Sequence, residues 1–163
     1  MNKTIWWLVG RQQAGKTMFG VTMGSYGAQV LLIGQQLRQR FSPAEFAKES
    51  NPFAPEMTEK LVQDMIYAEI ERFIHNTNSL LVIDSAPRND AQFNILFSVS
   101  MMSKVILITE RYDIRKNRAR KTYSGDLTLF DAREGPETIW MDDIKSKCDF
   151  NRIEYISLLG SNQ

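Results

Sequence analysis

The stretch that most constrains this chain is a short apolar run followed by a glycine-bounded loop. Thr4–Val9 has the length of one buried strand, and residues 10–17 follow with the Gly-x4-Gly-Lys-Thr spacing of a Walker A motif. The backbone N–H groups of such a loop, together with the N-terminus of the next helix, converge on phosphate oxygens. We therefore predict a strand, a loop and a helix, with the phosphates of ATP bound by Gly10, Arg11, Gln12, Gln13, Ala14, Gly15, Lys16 and Thr17.

Two residues of this loop have specific chemistry in the motif. Lys16 is expected to reach the β- and γ-phosphates, and the Thr17 hydroxyl is expected to be a ligand of Mg²⁺. The alternative is a chance match in an ordinary turn between a strand and a helix. We favour nucleotide binding because the pattern lies between a predicted strand and a predicted helix, as the motif requires.

The composition indicates one domain. A chain of 163 residues with 43% hydrophobic residues can form one sizeable core, so we expect a single domain over residues 1–163. The net charge of +1 gives the whole chain no preference for nucleic acid or acidic membranes. The single cysteine, Cys148, excludes an internal disulfide, and the N-terminus carries no signal-peptide pattern. No apolar run approaches the ~18 residues of a membrane span, so we expect a cytoplasmic protein without a membrane partner.

Further strands are predicted from apolar runs. Residues 29–33, 80–84 and 104–109 are apolar with little alternation, which is typical of parallel strands covered on both faces, and residues 152–156 predict a fifth strand. Helical patterns lie between the strands. Residues 127–130 are expected to be a short strand or extended loop, and Pro136 is expected to begin a last helix that ends near Cys148. This order predicts an α/β, P-loop NTPase three-layer fold, with a five-stranded parallel sheet and helices on both faces.

Asp84 ends the third predicted strand, as the carboxylate of a Walker B strand does. Many strands end in aspartate because it caps the following turn, so this feature alone is weak. Together with the loop, however, Asp84 is predicted to hold Mg²⁺, or a water on Mg²⁺, opposite the phosphates. Thr17 and Asp84 are therefore the predicted metal-binding residues.

A basic cluster follows the fourth predicted strand. Residues 111–121 contain 6 lysines and arginines, which creates a local positive field in a nearly neutral chain. Three interpretations remain open: a solvated helix face, a nucleic-acid contact, and arginines that clamp a transferring phosphate. We favour the clamp because the cluster follows a strand of the predicted sheet. Aromatic residues for base stacking are scarce here, so nucleic acid is not an expected partner.

With these motifs placed, the sequence resembles adenylate kinase and related nucleoside monophosphate kinases over most of its length. Residues 34–38 are similar to the family's Gly-x-x-Leu-Arg segment, which implies that Gly34 and Arg38 bind the acceptor monophosphate. Residues 84–92 are similar to the family's Asp-Gly-Phe-Pro-Arg-x-x-x-Gln stretch. That match implies that Arg88 also grips the acceptor phosphate and that Gln92 reads the base. The resemblance further implies an acceptor-binding arm over about residues 34–76.

The resemblance also implies a short mobile lid over about residues 119–136. The preceding strand and arginine-bearing helix are similar to those that lead into the family's lid, which implies that Arg118 and Arg120 contact the transferring phosphate. Arg133 is the candidate for a second lid arginine. The region has no cysteines and is too short for a zinc-bearing lid.

The sequence also departs from the family pattern. Thr17 directly follows the loop lysine, where the family usually has glycine. Ile33 replaces a small hydroxyl residue, and Gln35 replaces an acidic residue. The choice of acceptor base and sugar is therefore left open by the sequence.

The function implied is transfer of the γ-phosphoryl group of Mg-ATP to a ribo- or deoxyribonucleoside monophosphate. Catalysis would come from positioning and charge neutralisation by Lys16, Arg88, Arg118, Arg120 and Arg133, with little acid–base chemistry. A second hypothesis, motivated by the short lid, is a catalytically weak regulatory or adaptor module of the same fold. A third is a nucleic-acid-associated ATPase, which the near-neutral charge argues against. We expect a monomer or a weak homodimer.

Overall fold

The computed structural model describes residues 2–41 and 56–159, and the structural statements below concern these ranges. Its strands, in chain order, are β1 (Thr4–Val9), β2 (Gln29–Leu32), β3 (Leu80–Asp84), β4 (Ser103–Thr109) and β5 (Glu154–Leu159). Its α-helices are α1 (Lys16–Ser25), α2 (Ile33–Arg40), α3 (Glu56–His75), α4 (Asp90–Ser98), α5 (Tyr112–Thr122) and α6 (Thr128–Phe150). A short 3-10 helix, Ser100–Met102, leads into β4.

The strands pair in parallel in the order β2-β3-β1-β4-β5. β1 is central, with Trp7 opposite Ile83 of β3 and Val105 of β4. The chain first adds β2 and β3 on one side of β1, and then crosses to add β4 and β5 on the other. In such sheets ligands bind beyond the carboxyl ends of the strands, where the direction of winding changes. The predicted five-stranded parallel sheet is confirmed, and its strand order places the candidate site beyond the ends of β1 and β3.

Helices cover both faces of the sheet, which explains why its central strands are apolar without alternation. Trp7 and Ile83 are fully buried in the larger core, where Phe73 of α3 also packs. The Trp7 indole N–H donates to the Ser103 hydroxyl at 3.0 Å, so its one polar atom is satisfied. Leu8, the neighbour of Trp7 in the chain, lies in the smaller core on the opposite face. The core therefore holds β1 rigidly below the loop that follows it.

The prediction for residues 127–130 was wrong, and so was the predicted start of the last helix. These residues lead into α6, which begins at Thr128, and Pro136 lies inside that helix. The Asp126 side chain accepts a hydrogen bond from the Thr128 N–H at 3.0 Å, so it satisfies one free donor at the helix start. The Phe130 side chain is fully buried. Its burial favours the helix over the short strand or extended loop predicted for these residues.

The other predicted elements occur within a few residues of their expected bounds. Ile33, predicted to end β2, instead begins α2. Arg152 has a φ of 58°, which places it in a turn and moves the start of β5 to Glu154. Among the described helices, none combines the length and the apolar character that a membrane span needs. The middle of the predicted acceptor arm, residues 42–55, lies outside the described residues.

Candidate functional site: the loop after the first strand

The loop between β1 and α1 has a backbone that depends on its glycines. Gly10 has a φ of 154°, and a Cβ atom there would lie 2.5 Å from the backbone oxygen of Ile108. Gly15 precedes the first residue of α1 with a φ of 105°, and Gln13 also has a positive φ, of 63°. Because a Cβ atom at residue 10 would clash with the Ile108 backbone of β4, any side chain there would push the loop away from β4. Ala14, the other small residue of the loop, is buried. The structure thus has a tight loop whose backbone closes onto the helix N-terminus.

The Lys16 side chain lies across this loop. Its ammonium donates to the backbone oxygens of Gly10 and Arg11, both at 2.9 Å. Burial lowers the pKa of Lys16 to about 8, although the nearby carboxylates of Asp84 and Glu137 act in the opposite direction. A partly desolvated ammonium of this kind interacts strongly with an incoming anion.

Thr17, at the start of α1, meets the end of β3. Its hydroxyl donates to Asp84 Oδ2 at 2.8 Å, and the Ser85 hydroxyl donates to Asp84 Oδ1 at 2.9 Å. Asp84 is buried, at 2% exposure. One carboxylate and one hydroxyl are hard oxygen donors that fit Mg²⁺, which takes one or two protein ligands and completes its shell with phosphates and water. The described residues include no group of three or more His, Cys, Asp or Glu that could hold a metal by itself. The predicted pair of metal residues is therefore brought together at the loop.

Arg88 approaches the loop from the segment after β3. The peptide bond between Ala86 and Pro87 is cis, and Arg88 follows it directly. The Arg88 guanidinium lies 3.9 Å from Glu137 Oε2 and stacks over the Trp140 ring at 5.8 Å. Burial, followed by repulsion from Arg133, lowers the pKa of Arg88 to about 10, so the group remains charged at neutral pH.

Gln92 supports the Arg88 segment. Its Oε1 accepts the backbone N–H of Arg88 at 2.8 Å, and its Nε2 donates to both carboxylate oxygens of Glu59 at 2.9 and 3.1 Å. The side-chain oxygen of Asn89 caps α4 by accepting the Gln92 N–H at 2.9 Å. Both ends of the Gln92 amide are thus bonded to the protein itself. To read a base, as the resemblance implies, the Gln92 amide would have to give up its contact with Glu59 and form hydrogen bonds with the base instead.

Gly34 and Arg38 lie on α2, directly beyond the carboxyl end of β2. Leu32, the last residue of that strand, pairs with Asp84, so α2 starts beside the end of β3. A Cβ on Gly34 would lie 3.8 Å from the Arg38 guanidinium, which folds back over that turn. Arg38 is exposed and belongs to the same edge of the sheet as the loop.

The basic helix α5 contacts the loop through one face only. Arg118 donates to the Gln13 backbone oxygen at 2.8 Å and pairs with Glu110 at 3.2 Å. Arg120 lies on the opposite face, is exposed, and donates to Asn117 at 2.7 Å. The structure therefore brings Arg118 to the loop and leaves Arg120 away from it.

Arg115, one turn before Arg118, was not singled out from the sequence. It is buried at 3% exposure and forms a two-bond pair with Glu134 of α6 at 2.7 and 3.1 Å. Its guanidinium lies beside the adjacent rings of Tyr112 and Phe130, at 5.6 and 5.7 Å from their centroids. Arg115 also donates to the Gln12 backbone oxygen at 3.4 Å. This arginine joins α5, α6 and the loop, so it positions the loop from outside.

Two carboxylates of α6, Glu134 and Glu137, contact the loop and were not predicted from the sequence. Glu137 is buried at 2% exposure, and its Oε1 accepts the backbone N–H of Gln12 at 3.1 Å. Its Oε2 pairs with Arg133 at 3.3 Å. Arg11 donates to the backbone oxygen of Glu134 at 3.1 Å. The signal in the sequence is the spacing of Arg133, Glu134 and Glu137, which lie on one face only if the helix continues through Pro136.

The comparisons concern the fold. No protein-family model matches the sequence, and no curated protein matches it. A gluconokinase from Sinorhizobium meliloti 1021 superposes with a TM-score of 0.58 at 13% identity, over 99% of this chain and 84% of that one. TT1252 from Thermus thermophilus gives 0.54 at 15% identity, over 100% and 91%. The shikimate kinase from Acinetobacter baumannii in complex with shikimate gives 0.50 at 15% identity, over 99% and 85%. The chain thus has the fold of small P-loop kinases.

Proposed function

We propose that this chain is an ATP-dependent phosphotransferase that requires Mg²⁺ and acts on a small phosphorylated acceptor, a nucleoside monophosphate. The observation that carries the proposal is the convergence of a loop N–H and two arginines on one anion. Around the Glu137 carboxylate, the Gln12 N–H lies at 3.1 Å, Arg133 at 3.3 Å and Arg88 at 3.9 Å. Groups that surround a carboxylate in this way can also surround a phosphoryl group.

In this proposal the donor nucleotide lies on the loop between β1 and α1. Lys16 would turn from the loop carbonyls to the β- and γ-phosphates, and Thr17 with Asp84 would hold Mg²⁺. The metal, when bound, supplies charge neutralisation between the phosphates. Arg118 contributes positive charge from α5 beside Gln13. The arginines contribute by position and charge, since phosphoryl transfer needs little covalent chemistry from the protein.

The acceptor would bind on the other side of the loop, beyond the ends of β2 and β3. Arg38 and Arg88 lie at that edge and provide charge for an anionic acceptor. The Pro87, Arg88 and Gln92 pattern favours a nucleoside monophosphate. The structural neighbours named gluconokinase and shikimate kinase suggest small carboxylic acids as the next class to test. For Gln92 to read a base, its Nε2 would have to leave the two oxygens of Glu59.

A second candidate function is a regulatory or adaptor module that binds nucleotide with little turnover. One observation favours it: the groups expected to bind phosphate are already bonded to other parts of the protein. Lys16 is bonded to two loop carbonyls, and Glu137 accepts the Gln12 N–H.

A cytoplasmic location and a monomeric or weakly dimeric state are further parts of the proposal, based on the sequence.

The deciding experiment is a diphosphate-formation assay with Mg-ATP. Each common ribo- and deoxyribonucleoside monophosphate is offered as acceptor, followed by gluconate and shikimate with ADP release as the readout. One preferred monophosphate is expected, and K16A and R88A should each lower the transfer rate at least a hundredfold, while R88A still binds ATP.

R120A is the matched control for the arginine substitution. Arg120 is exposed on the far face of α5, so its loss should change the transfer rate less than twofold. A larger change would show that the net positive charge of the protein, and not the position of Arg88, supports transfer. Turnover with gluconate or shikimate, and with no monophosphate, would show that the acceptor is a small carboxylic acid and not a nucleoside monophosphate. Nucleotide binding without any turnover would favour the regulatory module, and full activity of R88A would exclude the proposed site.

A further inference from the structure

Glu137 stands out because it is a carboxylate buried at the phosphate loop. Its side chain is 2% exposed, and burial of a charge at this depth requires close partners. The structure provides the Gln12 backbone N–H at 3.1 Å, the Arg133 guanidinium at 3.3 Å and the Arg88 guanidinium at 3.9 Å. Each partner is of a type that binds phosphate in proteins.

The carboxylate does not satisfy all of these donors. The Nε atom of Arg133 is buried, and within the described ranges it has no hydrogen-bond partner. A carboxylate has two oxygens in one plane, whereas a terminal phosphate presents three oxygens in different directions. A larger anion between the loop and Arg133 could therefore meet a donor that Glu137 leaves unpaired.

We propose that Glu137 occupies the place of a phosphoryl group, so that α6 competes with the nucleotide for the loop. This inference rests on the proposed function, since it assumes that the loop binds ATP. The Glu137 carboxylate and a terminal phosphate cannot share the Gln12 N–H and Arg133 without strong repulsion between like charges. Binding of ATP therefore displaces the carboxylate, and the chain without nucleotide is held in a self-inhibited state.

The sequence of α6 allows this displacement. Pro136 directly precedes Glu137 inside the helix and cannot donate a backbone hydrogen bond to the preceding turn. Gly135 is exposed, with open space where a Cβ atom would lie, and glycine stabilises a helix interior less than other residues do. Farther along the helix, Ile144 and Cys148 are buried in the larger core. A bend at residues 135–136 would therefore separate Arg133 from Glu137 while the second half of α6 stays packed, and rotation about the Glu137 side-chain bonds would let its carboxylate leave the Gln12 N–H.

The test compares Mg-ATP dissociation constants of the wild-type chain, E137Q and D142N by titration calorimetry. Asp142 lies on the same helix and is exposed, so D142N makes the same charge change away from the loop. E137Q is expected to bind Mg-ATP at least tenfold more tightly than the wild type, because the fraction of chains with a free loop rises. D142N should remain within twofold, and adding K16A to E137Q should abolish the binding.

Equal or weaker binding by folded E137Q, while the wild type binds, would overturn the inference and leave the proposed function intact. If neither binds Mg-ATP although both are folded, the proposed function itself fails, and the inference fails with it. Hydrogen exchange of the wild-type chain gives an answer even if E137Q does not fold. On addition of Mg-ATP, amides of residues 10–17 should exchange more slowly and those of residues 133–140 more quickly. Slower exchange in both segments would contradict displacement of Glu137.

Discussion

The phosphate loop has two neighbours that are built in different ways. On the β3 side, Thr17 and Asp84 form a hydrogen bond of 2.8 Å between two residues that belong to sequence motifs. On the α5–α6 side, the loop is held by arginines and carboxylates, among them Arg115 with Glu134 at 2.7 Å and Arg133 with Glu137 at 3.3 Å. The first side has a carboxylate bonded to a hydroxyl, whereas on the second side the carboxylates are paired with arginines. In the proposed function the β3 side serves the chemistry, and in the inference drawn above the α5–α6 side controls access to the loop.

The largest expected effect comes from breaking the β3 side. D84N should lower the transfer rate by about two to three orders of magnitude, because the negative charge with which the carboxylate binds Mg²⁺ is lost. The thermal midpoint should change little, since Asn can still accept the Thr17 hydroxyl. Steady-state kinetics over a range of Mg²⁺ concentrations, with calorimetry of the free protein, measures both. An unchanged dependence on Mg²⁺ would remove Asp84 from the metal site.

Breaking the α5–α6 side should instead cost stability. E134Q leaves the buried Arg115 guanidinium without a carboxylate partner, and we expect a loss of about 3 kcal/mol in the free energy of unfolding. Urea unfolding measures the change. The matched control is K104A, which breaks the exposed Lys104–Glu154 pair and should cost at most about 1 kcal/mol. Equal losses in the two variants would show that Arg115 is not held by Glu134.

The smallest of these effects is a pH dependence of Mg-ATP binding, which tests Lys16 in the loop between the two sides. Burial lowers the pKa of Lys16 to about 8, so the free protein loses this proton as the pH rises through 8. A bound triphosphate favours the ammonium and raises its pKa. The Mg-ATP association constant should therefore be flat just below pH 8 and fall by up to about tenfold per pH unit above it.

Calorimetric titrations between pH 7 and 9 measure this slope, below the pKa of about 10 of Arg88. The terminal phosphate of ATP, with a pKa of about 6, is almost fully ionised at pH 7 and above, so it adds little slope of its own. K16R is the control, since its guanidinium stays charged and its affinity should not vary with pH over the same interval. A slope that persists in K16R would assign the titration to another group.

Much of the fold could be predicted from the sequence because its signals are local. The β1 strand, the glycines of the loop and the apolar run ending at Asp84 each specify a conformation within a few residues. Residues 127–136 could not be predicted in this way. Their local pattern suggested an extended segment and a proline start, but burial of Phe130 and the Asp126 cap extend one helix through Pro136. That error hid the α6 face that carries Glu137.

The sequence by itself determined the parallel sheet, the loop and the placement of Thr17 and Asp84 at one edge of the sheet, because the carboxyl ends of parallel strands share one edge. Their contact also needs β1 and β3 to be neighbours, which the strand order provides. Only the tertiary structure decided which distant groups reach the loop. Arg115 and Arg118 face it, whereas Arg120, in the same helix, does not. The contact between Glu137 and the Gln12 N–H joins residues 125 positions apart. Such a contact depends on how α6 packs across the end of the sheet, and no local pattern encodes that packing.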